Sequence, residues 1–497
     1  MNRHLRQLYN EAAGKLKGIV NGLDSCAITH DGWTSIATES FGTVTLHYVD
    51  SNWQLVNVVL QTRKVVGRHT ADAIQNQLSA AQVEWGFPDP IATCDNAANE
   101  VKAFRQLGWT QLSCMGHNIN LAVKAALSVP EVNKLVVKGR KVVQYFHKSS
   151  NAYNSLFEKQ KLLLPPNLHG HKLIVDVDTR WNSTLEMLQR LLEQTAAIHA
   201  VLADPVFRGK VQDMRYLYST DDQINVETVV EFLEPFKEAT LSLSREDEPT
   251  VAAVLPVLIK LEKHVTLLPG DIGWLKDMKQ KALQSLDKRY ASPEQKRPLL
   301  LASILHPRSK KLTFLSDNDK HLAESYLRTE VFNIKNNPKT PPKTSKGVPI
   351  KTEVSTEVTN GQNQVEDVVD GLENAQALEL PQHVVDEINK ETLVTDVSFK
   401  EKQEVPGIPP CKKLKPDVMA WLDEIFFPGK SHSVQEDPET VINREIDLFL
   451  SSDYSTEKAL KWWQDRESTF PNVAKAAKKF LCIPASSVPS RPGANTL

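Results

Sequence analysis

A chain of 497 residues has room for about three folding units. Its 59 lysines and arginines against 61 aspartates and glutamates leave a formal net charge of -2. That excludes a protein that coats nucleic acid through bulk positive charge, so any DNA contact has to come from a local patch.

In chain order, residues 1–24 carry Leu5, Leu8, Leu16, Ile19, Val20 and Leu23 at helical spacing, without the apolar core of a secretory signal. Strands follow in SCAITHDGWTS, FGTVTLHYV and WQLVNVVLQTRKV, the last two flanking an Asp-Ser-Asn turn. HTADAIQNQLSAAQVEWG reads as a helix opened by a Thr cap at Thr70 and stopped by Gly86. PIATCDNAANEVKAF and TQLSCMGHNINLAVKAAL each read as a strand running into a helix. The expected architecture is an α/β core with a mixed sheet over residues 25–186. Helical spacing then dominates, predicting an all-α insertion over residues 187–332.

Residues 333–398 hold no Phe, Tyr, Trp or Cys, and residues 333–410 are expected to be a disordered linker. Residues 411–490 are aromatic-rich and amphipathic, with Pro471 opening a helix whose apolar face is Val473, Ala476, Ala477 and Phe480. A short tail, residues 491–497, follows. Cys26, Cys94, Cys114, Cys411 and Cys482 are scattered, with no Cys-x-x-Cys pair. They suit a reducing compartment better than a disulfide framework or a four-ligand zinc module. No run of about 18 apolar residues occurs, so no membrane span is expected.

Asp31 and Asp95 each lie just past a predicted strand, where carboxylates can bridge divalent metals for phosphoryl displacement. Asp-Gly and Asp-Asn are also ordinary turn and cap pairs. Cys114 and His117 share a helix face at i and i+3; two ligands make no structural zinc site, which leaves a Cys/His nucleophile pair or a buried thiol beside a hydrogen-bonded histidine. Arg180 offers a planar cation for phosphate or carboxylate, and Trp181 a ring for base stacking or for a core. Residues 102–161 hold ten lysines and arginines against Glu131 and Glu158. Lys134, Lys138, Arg140, Lys141 and Lys148 are the candidate DNA contacts there; a solvated helix face is the rival reading. Lys412, Lys413 and Lys415 form a short candidate nuclear import signal.

Taken in order, THDGWTS, LHYVDSNWQL, TCDNAAN, SCMGHNINLAV, DTRWNSTLEML and WWQDRESTFPNVAKAAKKFLCIPASSVPS resemble the hAT superfamily of DNA transposases, and within it the domesticated vertebrate BED-zinc-finger proteins. The resemblance covers about residues 5–330 and 415–490. It implies an RNase H-like core, a large helical insertion and a helical C-terminal dimerisation region, for which Trp462, Trp463, Phe470 and Phe480 are the candidate contacts. In that superfamily an Asp-Asp-Glu triad binds two Mg²⁺ ions. The resemblance assigns its first two acids to Asp31 and Asp95, and further family motifs to Cys114, His117, Arg180 and Trp181.

Two departures shape the expected function. The family's Ser-Glu-Arg-x-Phe-Ser string, which carries the third acid, is expected directly after PASSVPS, where this sequence reads RPGANTL. Glu467 lies upstream of that point and is not assigned the role. The BED-finger ligand spacing is likewise not found. The expectation is a nuclear, catalytically inactive transposase relative that binds DNA and itself, with an impaired Mg²⁺ site, no other cofactor and no small-molecule substrate. The alternative is a metal-dependent transposase or nuclease with residual DNA cleavage.

Overall fold

The computed structural model describes residues 3–35, 37–65, 67–177, 180–208, 218–245, 247–290, 292–336 and 437–487. Helix α1 (Arg3–Asn21) leads into the antiparallel meander β1 (Ala27–Thr34), β2 (Ser40–Val49) and β3 (Leu55–Lys64). Then come α2 (Ala71–Trp85), β4 (Ile91–Cys94), α3 (Ala98–Leu107), β5 (Thr110–Ser113) and α4 (Met115–Leu127). β4 runs parallel to β1 and β5 parallel to β4, giving the order β3-β2-β1-β4-β5. The mixed sheet expected from the sequence is therefore present, alternating with helices as the motifs implied.

Local chemistry sets the boundaries. The Thr70 side chain accepts from the Ala73 amide to open α2, and Gly86, at φ 77°, closes it in a left-handed conformation that glycine adopts without a Cβ penalty. The β2–β3 turn is tied by the Asp50 carboxylate, which accepts from the Gln54 amide at 2.6 Å.

The remaining chain is helical: α5 (Pro130–Lys148), α6 (Ser150–Leu163), α7 (Trp181–Glu193), α8 (Thr195–Ala203), α9 (Pro205–Arg208), α10 (Thr220–Leu243), α11 (Val254–His264), α12 (Gly273–Tyr290), α13 (Pro293–Leu305) and α14 (Asp317–Asn336). The C-terminal described residues form α15 (Pro438–Ser451), α16 (Ala459–Arg466) and α17 (Pro471–Leu481). Two expected boundaries move. The division at 186/187 falls inside α7, whose first turn closes on the Arg180 carbonyl through the Ser183 amide at 3.1 Å and hydroxyl at 2.6 Å. Residues 333–336 belong to α14 rather than to a linker. The rest of the expected linker, the lysine cluster at 412–415 and the tail 491–497 lie outside the described residues.

Strand alternation gives the sheet two buried faces. On one, Ile28, Leu46 and Val58 pack with Leu16 and Val20 of α1, Leu78 of α2 and Phe104 of α3. On the other, Ala27, Val49 and Leu112 join a larger core with Ile119 of α4, Leu300 of α13 and Phe480 of α17. Among the described residues no helix is long and apolar enough to cross a membrane.

Candidate functional site

The two acids singled out by sequence lie in one neighbourhood, where the charges of both act on His30. Thr29 and Thr93 are paired in the parallel β1–β4 ladder, so the same step taken two residues further sets Asp31 level with Asp95, one residue past the end of β4. Asp31 is buried, and the Asp95 carboxylate accepts from the Ala97 amide at 2.9 Å, which turns the chain into α3. This is the turn reading of Asp95: an i to i+2 bond ahead of the helix, whose N-cap is Ala97.

Behind the pair, on the opposite face of β1, His30 Nδ1 hydrogen-bonds the Glu100 carboxylate at 2.8 Å, tying the strand of Asp31 to the helix that follows Asp95. Both side chains are buried, and among the described residues His30 Nε2 and Glu100 Oε2 have no hydrogen-bond partner. Burial by itself would lower the His30 pKa, but the Glu100 charge and hydrogen bond, with the charges of Asp31 and Asp95, outweigh it and raise the pKa. On the face of Asp31, His47 is held neutral: burial lowers its pKa to about 4. Its Nδ1 donates to Asn57 at 2.7 Å, leaving Nε2 to accept from the Thr29 hydroxyl at 3.1 Å.

Among the described residues no group of three or more His, Cys, Asp and Glu side chains converges as metal ligands do. Two carboxylates with water fill part of the shell of one divalent ion and do not fit a two-metal arrangement.

Sequence reasoning missed the aromatic step beside the acids. Trp33, two residues beyond Asp31 on the same strand face, stacks on its register partner Phe41 at 4.7 Å and 21°. Both rings are half-buried, and the Trp33 Nε1–H donates to the Thr43 hydroxyl at 3.3 Å. The signal lay in the strand pattern, since Trp33 and Phe41 end a hairpin whose core-facing residues are all further in.

A polar network joins this rim to the helical insertion. The Ser113 hydroxyl donates to Asn96 at 2.6 Å, Asn96 donates to Asn118, and Asn118 donates to the Tyr290 hydroxyl at 2.7 Å. Tyr290 in turn donates to the Ser113 carbonyl at 3.0 Å, and Gln295 accepts from the Ser113 amide at 2.8 Å. The C-terminal segment docks at the same edge: Thr93 donates to the Pro484 carbonyl at 2.8 Å and the Met115 amide to the Ala485 carbonyl at 2.8 Å. Cys114, a buried thiol at the start of α4, accepts from the amides of His117 at 3.4 Å and Ser487 at 3.3 Å. It acts as a helix cap and as an anchor for the C-terminal segment.

The other candidates are dispersed. Arg180 is exposed ahead of α7, while Trp181 is buried in the large core. Lys138 pairs with Asp222 at 2.6 Å and Arg140 with Asp176 at 2.7 Å, so two of the five candidate DNA cations have acidic neighbours within the chain. Lys134, Lys141 and Lys148 are exposed along α5. Glu467 lies away from the rim, accepting from Trp53 Nε1 at 2.7 Å and Lys478 at 3.0 Å.

The four aromatics expected at a dimer surface need correction. Trp462, Trp463, Phe470 and Phe480 are all buried in this chain's own core. Trp463 stacks between Trp53 and Phe449, with ring centroids 5.9 and 5.3 Å away, and donates to the Leu305 carbonyl at 2.8 Å. Rings of this size lower the free energy most by leaving water, and here a single chain removes them from it.

This combination of mixed sheet, helical insertion and C-terminal docking segment agrees with comparison to known proteins. Residues 29–119 match the ZBED1 RNase-like domain, residues 112–232 the ZBED1 RNase-like helical domain, and residues 439–492 the hAT family C-terminal dimerisation region. The chain is 25% identical over 309 residues to the human zinc finger BED domain-containing protein 4, covering 60% of this chain and 25% of that protein. It is 29% identical over 223 residues to a putative AC transposase of Zea mays, covering 41% of this chain and 27% of the other. It is 24% identical over 481 residues to the Hobo transposase of Drosophila melanogaster, covering 95% of this chain and 65% of that one. The chain thus spans about a quarter of the length of the first two relatives. It belongs with the hAT-transposase-derived proteins, alongside the BED zinc finger proteins.

Proposed function

We propose that this chain is a nuclear, DNA-contacting and self-associating hAT relative whose RNase H-like sheet keeps the ancestral acidic rim but no longer transposes DNA. One observation carries the reading: Asp31 on β1 and Asp95, one residue past the end of the parallel neighbour β4, lie at one rim of the sheet, with the Trp33–Phe41 stack two residues beyond Asp31. Carboxylates so placed hold a divalent ion against a phosphodiester, and paired rings offer unpaired bases a stacking surface. Loss of transposition is supported by the donor set, which falls short of two metals, and by Glu467 being engaged with Trp53 and Lys478. Similarity to BED zinc finger proteins supports a role in DNA binding and regulation, and the match to a dimerisation region supports self-association.

The test is binding and cleavage of labelled single-stranded and duplex DNA, with and without Mn²⁺, by the wild type and Asp31→Ala. Salt-sensitive binding without cleavage is the expected outcome. No binding at low salt would overturn the DNA-contacting role. Cleavage abolished in Asp31→Ala would instead establish the second reading, a residual metal-dependent nuclease, which the placement of the two acids at one rim favours.

A further inference from the structure

The two edges of the sheet are finished differently. At the β5 edge the chain closes its own backbone: the Gln295 side chain accepts from the Ser113 amide at 2.8 Å and donates to the Gln111 carbonyl at 2.7 Å, in the manner of a neighbouring strand. β3 is the other edge, and among the described residues no strand lies beyond it. Its register fixes which groups point outward. The Asp50 amide donates to the Gln54 carbonyl at 3.0 Å, which makes these two a hydrogen-bonded pair. Alternation along an antiparallel ladder then bonds Tyr48 to Val56 and Leu46 to Val58. Val49/Leu55, His47/Asn57 and Thr45/Val59 are the pairs between, and the His47–Asn57 side-chain bond at 2.7 Å fits their closer approach. The backbone N–H and C=O groups of Leu55, Asn57 and Val59 therefore face away from β2.

Edges are commonly blunted by charge, proline or a bulge. On β3 these devices come late: a register shift opposite Val44/Thr45, then Arg63 and Lys64, each ion-paired. Residues 55–59 read Leu-Val-Asn-Val-Val, uncharged and largely β-branched, and Val59 is 37% exposed. A groove of about 450 Å³ opens at the start of this stretch, between Leu55 and Asn57 on the strand and Pro249 and Leu460 from other elements. The charges on its walls are answered within the chain. Arg245 pairs with Asp247 at 2.9 Å and Glu248 at 3.4 Å, Lys461 pairs with Asp465 at 2.7 Å, and the charge of Lys458 acts on Asp247.

We propose that this edge docks an uncharged, extended peptide segment of a partner protein, which adds a sixth strand along residues 55–59 and seats one large apolar side chain in the groove. Outward backbone donors and acceptors are matched by another extended backbone, and walls whose charges are already balanced favour an uncharged side chain over a charged one. The site lies toward the β2–β3 turn, whereas Asp31 is level with Thr43 and Thr62 at the other end of the same strands, so it is independent of the DNA-contacting reading.

The test incubates the full chain with a pool of acetylated, amidated heptapeptides carrying Phe, Leu or Trp at the centre and Thr, Val or Ser elsewhere. Backbone hydrogen exchange is followed by mass spectrometry. The expected result is slowed exchange over residues 55–59. Of two peptide series N-methylated at alternate residues, one should bind at least about tenfold more weakly, because only one set of amides faces β3. Val59→Pro removes an outward donor that β2 does not use, and should weaken binding at least about tenfold with the melting temperature unchanged. Binding that neither N-methylated series nor the proline weakens would overturn strand addition, as would no protection at about 1 mM peptide. Tighter binding by pools with Lys or Glu at the centre would overturn the uncharged partner. Protection of residues 55–59 that grows with the concentration of the chain itself, without peptide, would make a second copy the occupant and overturn the partner segment.

Discussion

The strand rim around Asp31 and the aromatic cluster around Trp463 make an instructive pair. Both are built from residue types that draw attention in a sequence, and both join segments far apart in the chain. At the rim, acids follow the ends of parallel strands and a stacked aromatic pair stays half in water, while behind it His30 and Glu100 keep buried atoms without hydrogen-bond partners among the described residues. In the cluster, Trp53, Phe449, Trp462, Trp463 and Phe470 are sealed together, and the Trp463 ring nitrogen donates to the Leu305 carbonyl. Unused polar capacity marks a place that can engage something else, whereas satisfied polar atoms inside a dry aromatic core mark a place that holds the fold together.

The comparison breaks most sharply by truncation. Trp463→Ala should lower unfolding free energy by about 3–5 kcal/mol in a denaturant titration, whereas Asp31→Ala should stay within about 1 kcal/mol of the wild type. Equal losses would erase the distinction between the regions.

A second effect comes from His47 at the sheet. Its folded pKa is about 4 and its ordinary value 6.5, so below 6.5 the unfolded chain takes up a proton that the fold refuses. Stability should fall as pH drops from 6.5 toward 4, by about 3 kcal/mol from this group. His47→Gln should flatten that part of the pH profile.

Trp33→Ala should weaken single-stranded DNA binding by about 1–3 kcal/mol, read by fluorescence anisotropy, with little change in melting temperature. Lys138→Ala should change binding less than Lys134→Ala, because Lys138 already answers Asp222.

A pH effect of opposite range belongs to Lys310, buried under the aromatic cluster. It donates to the Phe449 carbonyl at 2.7 Å and lies over the Phe449 ring at 4.5 Å. Burial, reinforced by Lys311, lowers its pKa to about 8 from 10.5. Between those values the unfolded chain binds more protons than the fold, so stability should rise with pH there. Lys310→Met should show no such rise.

Much of this molecule was legible along the chain. Thr70 and Gly86 bounded α2 through capping chemistry, the Asp-Ser-Asn turn joined β2 to β3, and Pro471 opened α17 with Val473, Ala476, Ala477 and Phe480 inward. Those features depend on residues a few positions apart, where backbone geometry and periodicity suffice.

What the sequence determined by itself was the set of elements and the motifs that align this chain with hAT-derived proteins. The tertiary structure decided which conspicuous residues stay available. It made Glu100 the partner of His30, turned Cys114 into an anchor for Ser487, paired Lys138 and Arg140 with acids, and withdrew Trp462 and Trp463 from the surface. The physical reason is that burial and partnering depend on residues tens to hundreds of positions away, which only the packed chain brings together.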